Sequence, residues 1–177
     1  SKQLKKFNAH FFFLGAGFMI LEAVGITRFA LLFGSTWIVN SVVIVSILVM
    51  ILLANLYVEK AKRINIKLMY IFLISSIILN WLLKADSYLV FNRTAGIALS
   101  SLFLSLPLLF AGIIFANSFK EAKDIPGAFA YNLLGAITGG FCEYISMASG
   151  FNFLFLIAIG IYALSYLGKI RLRWRLV

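Results

Sequence analysis

The chain has 177 residues, 63% of them hydrophobic and only 12% charged, and a formal net charge of +10 at pH 7. That apolar fraction exceeds what a soluble domain needs to fill one core, so lipid is the expected solvent for much of its surface. The inventory excludes further classes: one His and the single Cys142 make neither a tetrahedral metal cage nor an intramolecular disulfide, and no phosphate-binding glycine loop occurs.

A bilayer core of about 30 Å takes about 20 apolar residues as a helix, and six runs of roughly that length are expected to cross it. The first, 10–33, follows Lys2, Lys5 and Lys6 and continues past the length of a secretory leader. It carries Gly15, Glu22 and Gly25 on one stripe. The second, 36–57, starts after the Gly34-Ser35 break and includes Asn40; the third, 66–83, includes Asn80. The fourth, 95–119, holds Pro107, which is expected to kink the helix and to free a carbonyl that a neighbouring group must satisfy.

The fifth run, 127–149, is the most patterned. Asn132, Gly135, Gly139 and Glu143 recur at spacings of three, four and four, which puts them on one helical stripe, and Gly135 with Gly139 makes a G-x-x-x-G pattern for close backbone approach. This stripe and that of the first run are the expected inward faces. The sixth run, 151–167, begins after Ser149-Gly150 and ends in the basic segment around Lys169, Arg171, Arg173 and Arg175.

Charge sets the expected topology. Thirteen of the 16 Lys and Arg residues flank the first run, the second connection, the fourth connection and the C-terminal end, whereas Arg28, Lys84 and Arg93 fall on the other side. The positive-inside rule therefore puts both termini in the cytoplasm, in the cytoplasmic (inner) membrane, with basic residues beside anionic lipid headgroups rather than nucleic acid. Trp37, Trp81, Trp174, Tyr57 and Tyr88 sit near run ends, where amphipathic rings meet headgroups. The sequon Asn92-Arg93-Thr94 reads as an ordinary outer loop. The expected fold is all-α: one polytopic bundle of six transmembrane helices over 1–177, N-in and C-in.

Ionisable residues inside apolar runs are costly and face a bundle interior or a cavity. Glu22 and Glu143 are the two, and Arg28, well around the helix from Glu22, is not its natural partner, so Glu22 is expected to pair across helices. His10 reads as interfacial. With Asn132, Asn40 and Asn80, the two glutamates form the candidate ligand or proton site; Gly15, Gly25, Gly135 and Gly139 are the candidate packing positions and Pro107 the kink.

The segments His10-Phe-Phe-Phe-Leu-Gly-Ala-Gly-Phe18, Leu31-Leu-Phe-Gly-Ser-Thr-Trp37, Leu53-Ala-Asn55, Leu109-Phe-Ala-Gly112, Phe115-Ala-Asn-Ser-Phe119, Asn132-Leu-Leu-Gly-Ala136 and Gly139-Gly-Phe-Cys-Glu-Tyr-Ile-Ser146 resemble the C-terminal membrane region of bacterial spermidine-synthase-like membrane proteins. The resemblance implies a membrane module without the soluble aminopropyltransferase-like domain, hence no enzyme activity and no cofactor. Where that family commonly has Glu-Thr-Lys, this chain has Glu22-Ala23-Val24, so a neighbouring lysine is missing.

The leading expectation is a non-catalytic membrane subunit that packs through its small-residue stripes against other integral membrane proteins or as a homo-oligomer. The alternative is a small-molecule transporter or membrane substrate-binding component using Glu22 and Glu143. The membrane part of a spermidine-synthase-like enzyme ranks third.

Overall fold

A computed structural model describes residues 7–83 and 93–174, with the side chains of 93–96, 98 and 171–174 left aside. Lys2, Lys5, Lys6, Lys84, Tyr88, Asn92 and Arg175 lie outside the described residues, as do the side chains of Arg93, Thr94, Arg171, Arg173 and Trp174. The described residues form helices α1 (Ala9–Phe33), α2 (Trp37–Lys60), α3 (Ile66–Leu82), α4 (Arg93–Lys120) and α5 (Ile125–Cys142), then a 3-10 turn (Glu143–Ile145), the short α6 (Ser146–Ser149), and α7 (Phe151–Trp174).

Four helix starts have a local cause. The side chains of Asn8, Thr36, Asn65 and Asp124 accept hydrogen bonds from the backbone N–H groups of Phe11, Val39, Leu68 and Gly127, which satisfies donors that the first turn of a helix leaves without partners. Pro126 stands in the first turn of α5, where its missing N–H costs nothing. Two ends are glycine-set: Gly34 and Gly150 adopt φ of 89° and 81°, a region costly for any residue with a Cβ.

Helix α1 is the centre of the bundle. It packs most extensively on α5 and α7 and also meets α4 and α2, while α4 joins α2 to α3. Phe11, Leu14, Ile20, Val24 and Phe29 of α1 are buried with Leu73 and Ile77 of α3, Leu108 and Ile114 of α4, and Leu154, Ala158 and Tyr162 of α7. On α2, a single line of Val39, Val43, Ile47, Met50, Ala54 and Val58 is buried, at spacings of three and four residues, and the equally apolar Ile44, Leu48, Leu52 and Leu56 are exposed. A helix that is apolar all round in this way needs two apolar neighbours, protein on one side and lipid on the other.

Four helical segments are long and apolar enough to cross a membrane: Ala9–Phe33, Trp37–Lys60, Leu99–Lys120 and Phe151–Ile170. Helix α3 is a shorter apolar helix. Helix α5 has 18 residues, about 27 Å at the helical rise. Trp37 and Trp81, at opposite ends of their helices in the chain, are both exposed.

The expected fifth run, 127–149, is not one regular helix. The α-geometry ends at Cys142 and tightens into the 3-10 turn that begins with Glu143. A 3-10 turn advances about 120° per residue rather than about 100°, so the shift from an α-helical path is about 20° at Glu143 and grows beyond it.

Candidate site: a cleft that ends at Glu22

Helices α1 and α5 approach at backbone contact, and glycine makes that possible. A Cβ added to Gly15 would strike the backbone and side chain of Asn132, one on Gly135 would strike the carbonyl of Phe12, and one on Gly139 the carbonyl of Ala16. Asn132 Nδ2 donates to the Phe11 carbonyl oxygen across the same seam at 3.3 Å. Gly25, by contrast, is buried but has open space where a Cβ would project, so no close approach within this chain requires glycine there. The small-residue stripes are thus used between two helices of this chain.

Beside that seam lies a cleft of about 310 Å³. Its back wall is α1 (Leu14, Gly15, Phe18, Met19, Glu22) and α4 (Ala111, Gly112, Phe115), and its sides are α2 (Ile51, Asn55) and α5 (Asn132, Ala136). Gly112 lets α2 close on α4, since a Cβ there would come within 2.9 Å of the Ala54 methyl. Glu22 is half-buried, and its carboxylate has no hydrogen-bond or ion-pair partner among the described residues. The expected partner on another helix is therefore not found. The cleft thus combines an apolar lining, one carboxylate and two amide side chains.

The other nominated residues go elsewhere. Glu143 is half-buried in the 3-10 turn and does not line the cleft, so the two glutamates do not share a site. Asn40 lies one turn into α2, near its other end. Asn80 is fully buried and structural: its Nδ2 donates to the carbonyl oxygens of Ser76 at 2.9 Å and of Phe103 at 3.0 Å. Phe103 is four residues before Pro107, so its carbonyl is the one that the proline deprives of a helical N–H. Asn80 is the group that repairs the kink. Its own backbone carbonyl accepts from Arg28 Nη1, Leu83 O accepts from Nη2, and the guanidinium carbon lies 5.3 Å from the centre of the Phe155 ring. Arg28 is buried, and it satisfies carbonyls at the C-terminal end of α3.

Sequence reading missed a second polar region, on the opposite side of α1. His10 is buried, not interfacial. Its Nδ1 lies 3.0 Å from the Ser165 carbonyl oxygen and its Nε2 3.0 Å from Ser118 Oγ. Ser118 Oγ also accepts from Lys169 Nζ at 2.9 Å, and Lys169 pairs with the exposed Glu121 at 3.4 Å. Ser165 Oγ stands 2.9 Å from the Tyr70 hydroxyl and donates to the His10 carbonyl oxygen at 3.2 Å. One set of roles satisfies every member: Nδ1–H donates to Ser165 O, the Ser118 hydroxyl donates to Nε2, and Tyr70 donates to Ser165 Oγ. This clasp joins α1, α3, α4 and α7. The Ser165/Lys169 and Ser118/Glu121 pairs each share a helical face, which is its one trace in the sequence.

Tyr162, packed against Gly17, buries a hydroxyl that has no partner among the described residues, and Asn80 Oδ1 is in the same state. No group of three or more His, Cys, Asp or Glu with metal-holding geometry occurs among the described residues. Comparison of the chain with protein-family models, with curated proteins and with solved structures finds no match.

Proposed function

We propose that this chain is a polytopic membrane protein whose six long helices all span the cytoplasmic membrane, with both termini cytoplasmic, and that it binds a small molecule in the Glu22 cleft. The observation that carries the reading is a carboxylate, without a protein partner among the described residues, in an apolar cleft between four helices. A charge in such surroundings is expensive, and intramembrane ionisable groups of this kind serve substrate or ion sites. The shape supports the same reading: a concave, mainly apolar site with a few convergent polar groups is how small ligands are held. The reading is of a substrate-binding or transport component and needs no enzyme chemistry.

The competing reading, a subunit that packs on other membrane proteins or on copies of itself, drew on the short loops and on the small-residue stripes with Gly15, Gly25, Gly135 and Gly139. Of these positions, Gly15, Gly135 and Gly139 are occupied by α1 against α5. The likeness to the membrane region of spermidine-synthase-like proteins is a proposal about descent and assigns no chemistry to these residues.

Two measurements test the proposal. In a Cys142→Ala background, Lys62→Cys and Lys123→Cys should react with an impermeant maleimide only from the cytoplasmic side, and Ser35→Cys only from the outside. Native mass spectrometry of protein released from nanodiscs should show a reproducible small adduct that Glu22→Gln removes. A protein that carries no adduct, and whose melting temperature no small molecule in a broad library raises, is not a ligand-binding component.

A further inference from the structure

We propose that the Glu22 cleft takes a lipophilic organic monocation, an amine on an apolar body, which enters sideways from the membrane leaflet at the lysine-rich end of the bundle. This deepens the reading above and rests on it. Three observations point the same way.

The first is charge. Among the described residues of the lining, Glu22 is the one ionisable side chain, with no Lys, Arg or His beside it. In a low-dielectric cleft a lone carboxylate favours a single positive charge and disfavours an anion. Hydrogen bonding selects in the same sense. Asn132 uses one of its two Nδ2–H donors on the Phe11 carbonyl, and its Oδ1 together with the Glu22 carboxylate offers acceptors to a ligand that carries N–H donors. Phe18 and Phe115 line the same space, and aromatic rings attract a cation that meets their faces.

The second is size and lining. The volume of about 310 Å³ lies at the small end for ligand pockets, and Leu14, Met19, Ile51 and Ala111 surround most of it with hydrocarbon or thioether. A hydrated metal ion or a highly polar polycation would leave most of that wall unused. An amine with an apolar body matches both ends.

The third is access. Helices α2 and α5 form the two sides of the cleft yet pack little if at all on each other, α2 being held mainly by α4 and α5 by α1. Asn55 is exposed in that gap. The outermost lining residue of each helix stands near one end: Asn55 five residues before Lys60, Phe115 five before Lys120, Asn132 seven after Ile125 and Leu14 five after Ala9. At the helical rise these lie about 8 to 11 Å from the end that carries Lys60, Lys62, Arg63, Lys120 and Lys123, with Glu22 deeper, about 20 Å in. The opening therefore faces sideways at the level of one leaflet, and the carboxylate stands at its inner end.

The test uses the full chain in nanodiscs of zwitterionic lipid, with empty discs as the partition control, and radiolabelled n-octylammonium as the probe. Saturable binding above the control is expected. It should be competed by excess unlabelled octylammonium but not by n-octanol or methylammonium, weakened about tenfold or more by Glu22→Gln, partly kept by Glu22→Asp, and unchanged by Glu121→Gln. Ala136→Trp, which fills the gap between α2 and α5 while leaving Glu22 intact, should slow association and reduce binding. Monodispersity on gel filtration shows that each variant is folded. Saturable binding of octanol equal to that of octylammonium, or indifference to Glu22→Gln, overturns the cation assignment and leaves a ligand cleft of other specificity. Binding that depends on Glu22 but is unaffected by Ala136→Trp overturns lateral access. Failure of every probe, charged or neutral, together with an unchanged melting temperature, removes the ligand site itself.

Discussion

The two faces of α1 are treated in opposite ways. Gly15 and Gly17 are two residues apart, roughly 200° around the helix, so they look in nearly opposite directions. On the Gly17 side, α1 meets the Tyr162 ring of α7, whose hydroxyl has no partner among the described residues, and in the His10 clasp one to two turns away each polar group has a partner. On the Gly15 side, α1 meets α5 at backbone contact, and the seam opens into a cleft where Glu22 has no protein partner among the described residues. A buried network with every member bonded rigidifies what it joins; a charge left without a partner costs stability and is retained for something other than the fold. The contrast separates the part of the molecule that holds α1 in place from the part that α1 presents.

The comparison can be broken most severely at the seam. Gly135→Leu forces a side chain into the Phe12 carbonyl, where backbone cannot yield, so α5 should detach or the protein should fail to fold. Loss of several kcal/mol, read by unfolding in mixed micelles, is expected; a monodisperse protein with an unchanged melting temperature would show that α1 and α5 are not so closely opposed. Next in size is the clasp. His10→Ala removes the acceptor of the Ser118 hydroxyl proton and a donor to the Ser165 carbonyl, and should cost about 1–3 kcal/mol by the same measurement.

The kink sharpens the picture through a cycle. Asn80→Leu should destabilise by about 1–3 kcal/mol, because the Phe103 carbonyl then has no donor. Pro107→Ala restores a helical N–H for that carbonyl, so the double variant should recover part of the loss, with a coupling of about 0.5–3 kcal/mol. Strict additivity would mean that Asn80 acts elsewhere. The smallest effect belongs to the cleft. Glu22→Gln should change stability by no more than about 0.5 kcal/mol, or raise it, since no protein bond is lost. A large destabilisation would place Glu22 among the structural polar groups with His10 and end the contrast.

Much of the secondary structure is legible in the chain because each boundary has a chemical cause next to it. Apolar runs end at Gly34-Ser35, at the lysine-rich connections and at Ser149-Gly150, and capping side chains stand at Asn8, Thr36, Asn65 and Asp124. The need to repair Pro107 is equally readable, since a proline at that position removes one known hydrogen bond. Two expectations failed for reasons of geometry. The run through residue 149 was expected as one regular helix, whereas the chain tightens into a 3-10 turn after Cys142. His10 read as interfacial because its bonding partners lie 108 and 155 residues away.

By itself, then, the sequence determined the apolar runs, their breaks, the asymmetry of basic residues and the need for a donor at Phe103. Those follow from composition, capping chemistry and the one hydrogen bond that proline removes, all of them local. Only the tertiary structure decided which face of each helix is inside, that Asn80 supplies the donor, that Gly15, Gly135 and Gly139 are consumed by α1 against α5, and that Glu22 ends in a cleft while Glu143 does not. Where both core and surroundings are apolar, a helix such as α2 carries little polarity contrast between its buried and exposed sides. Shape complementarity and the pairing of a few polar groups choose the arrangement, and both are properties of residues distant in the chain.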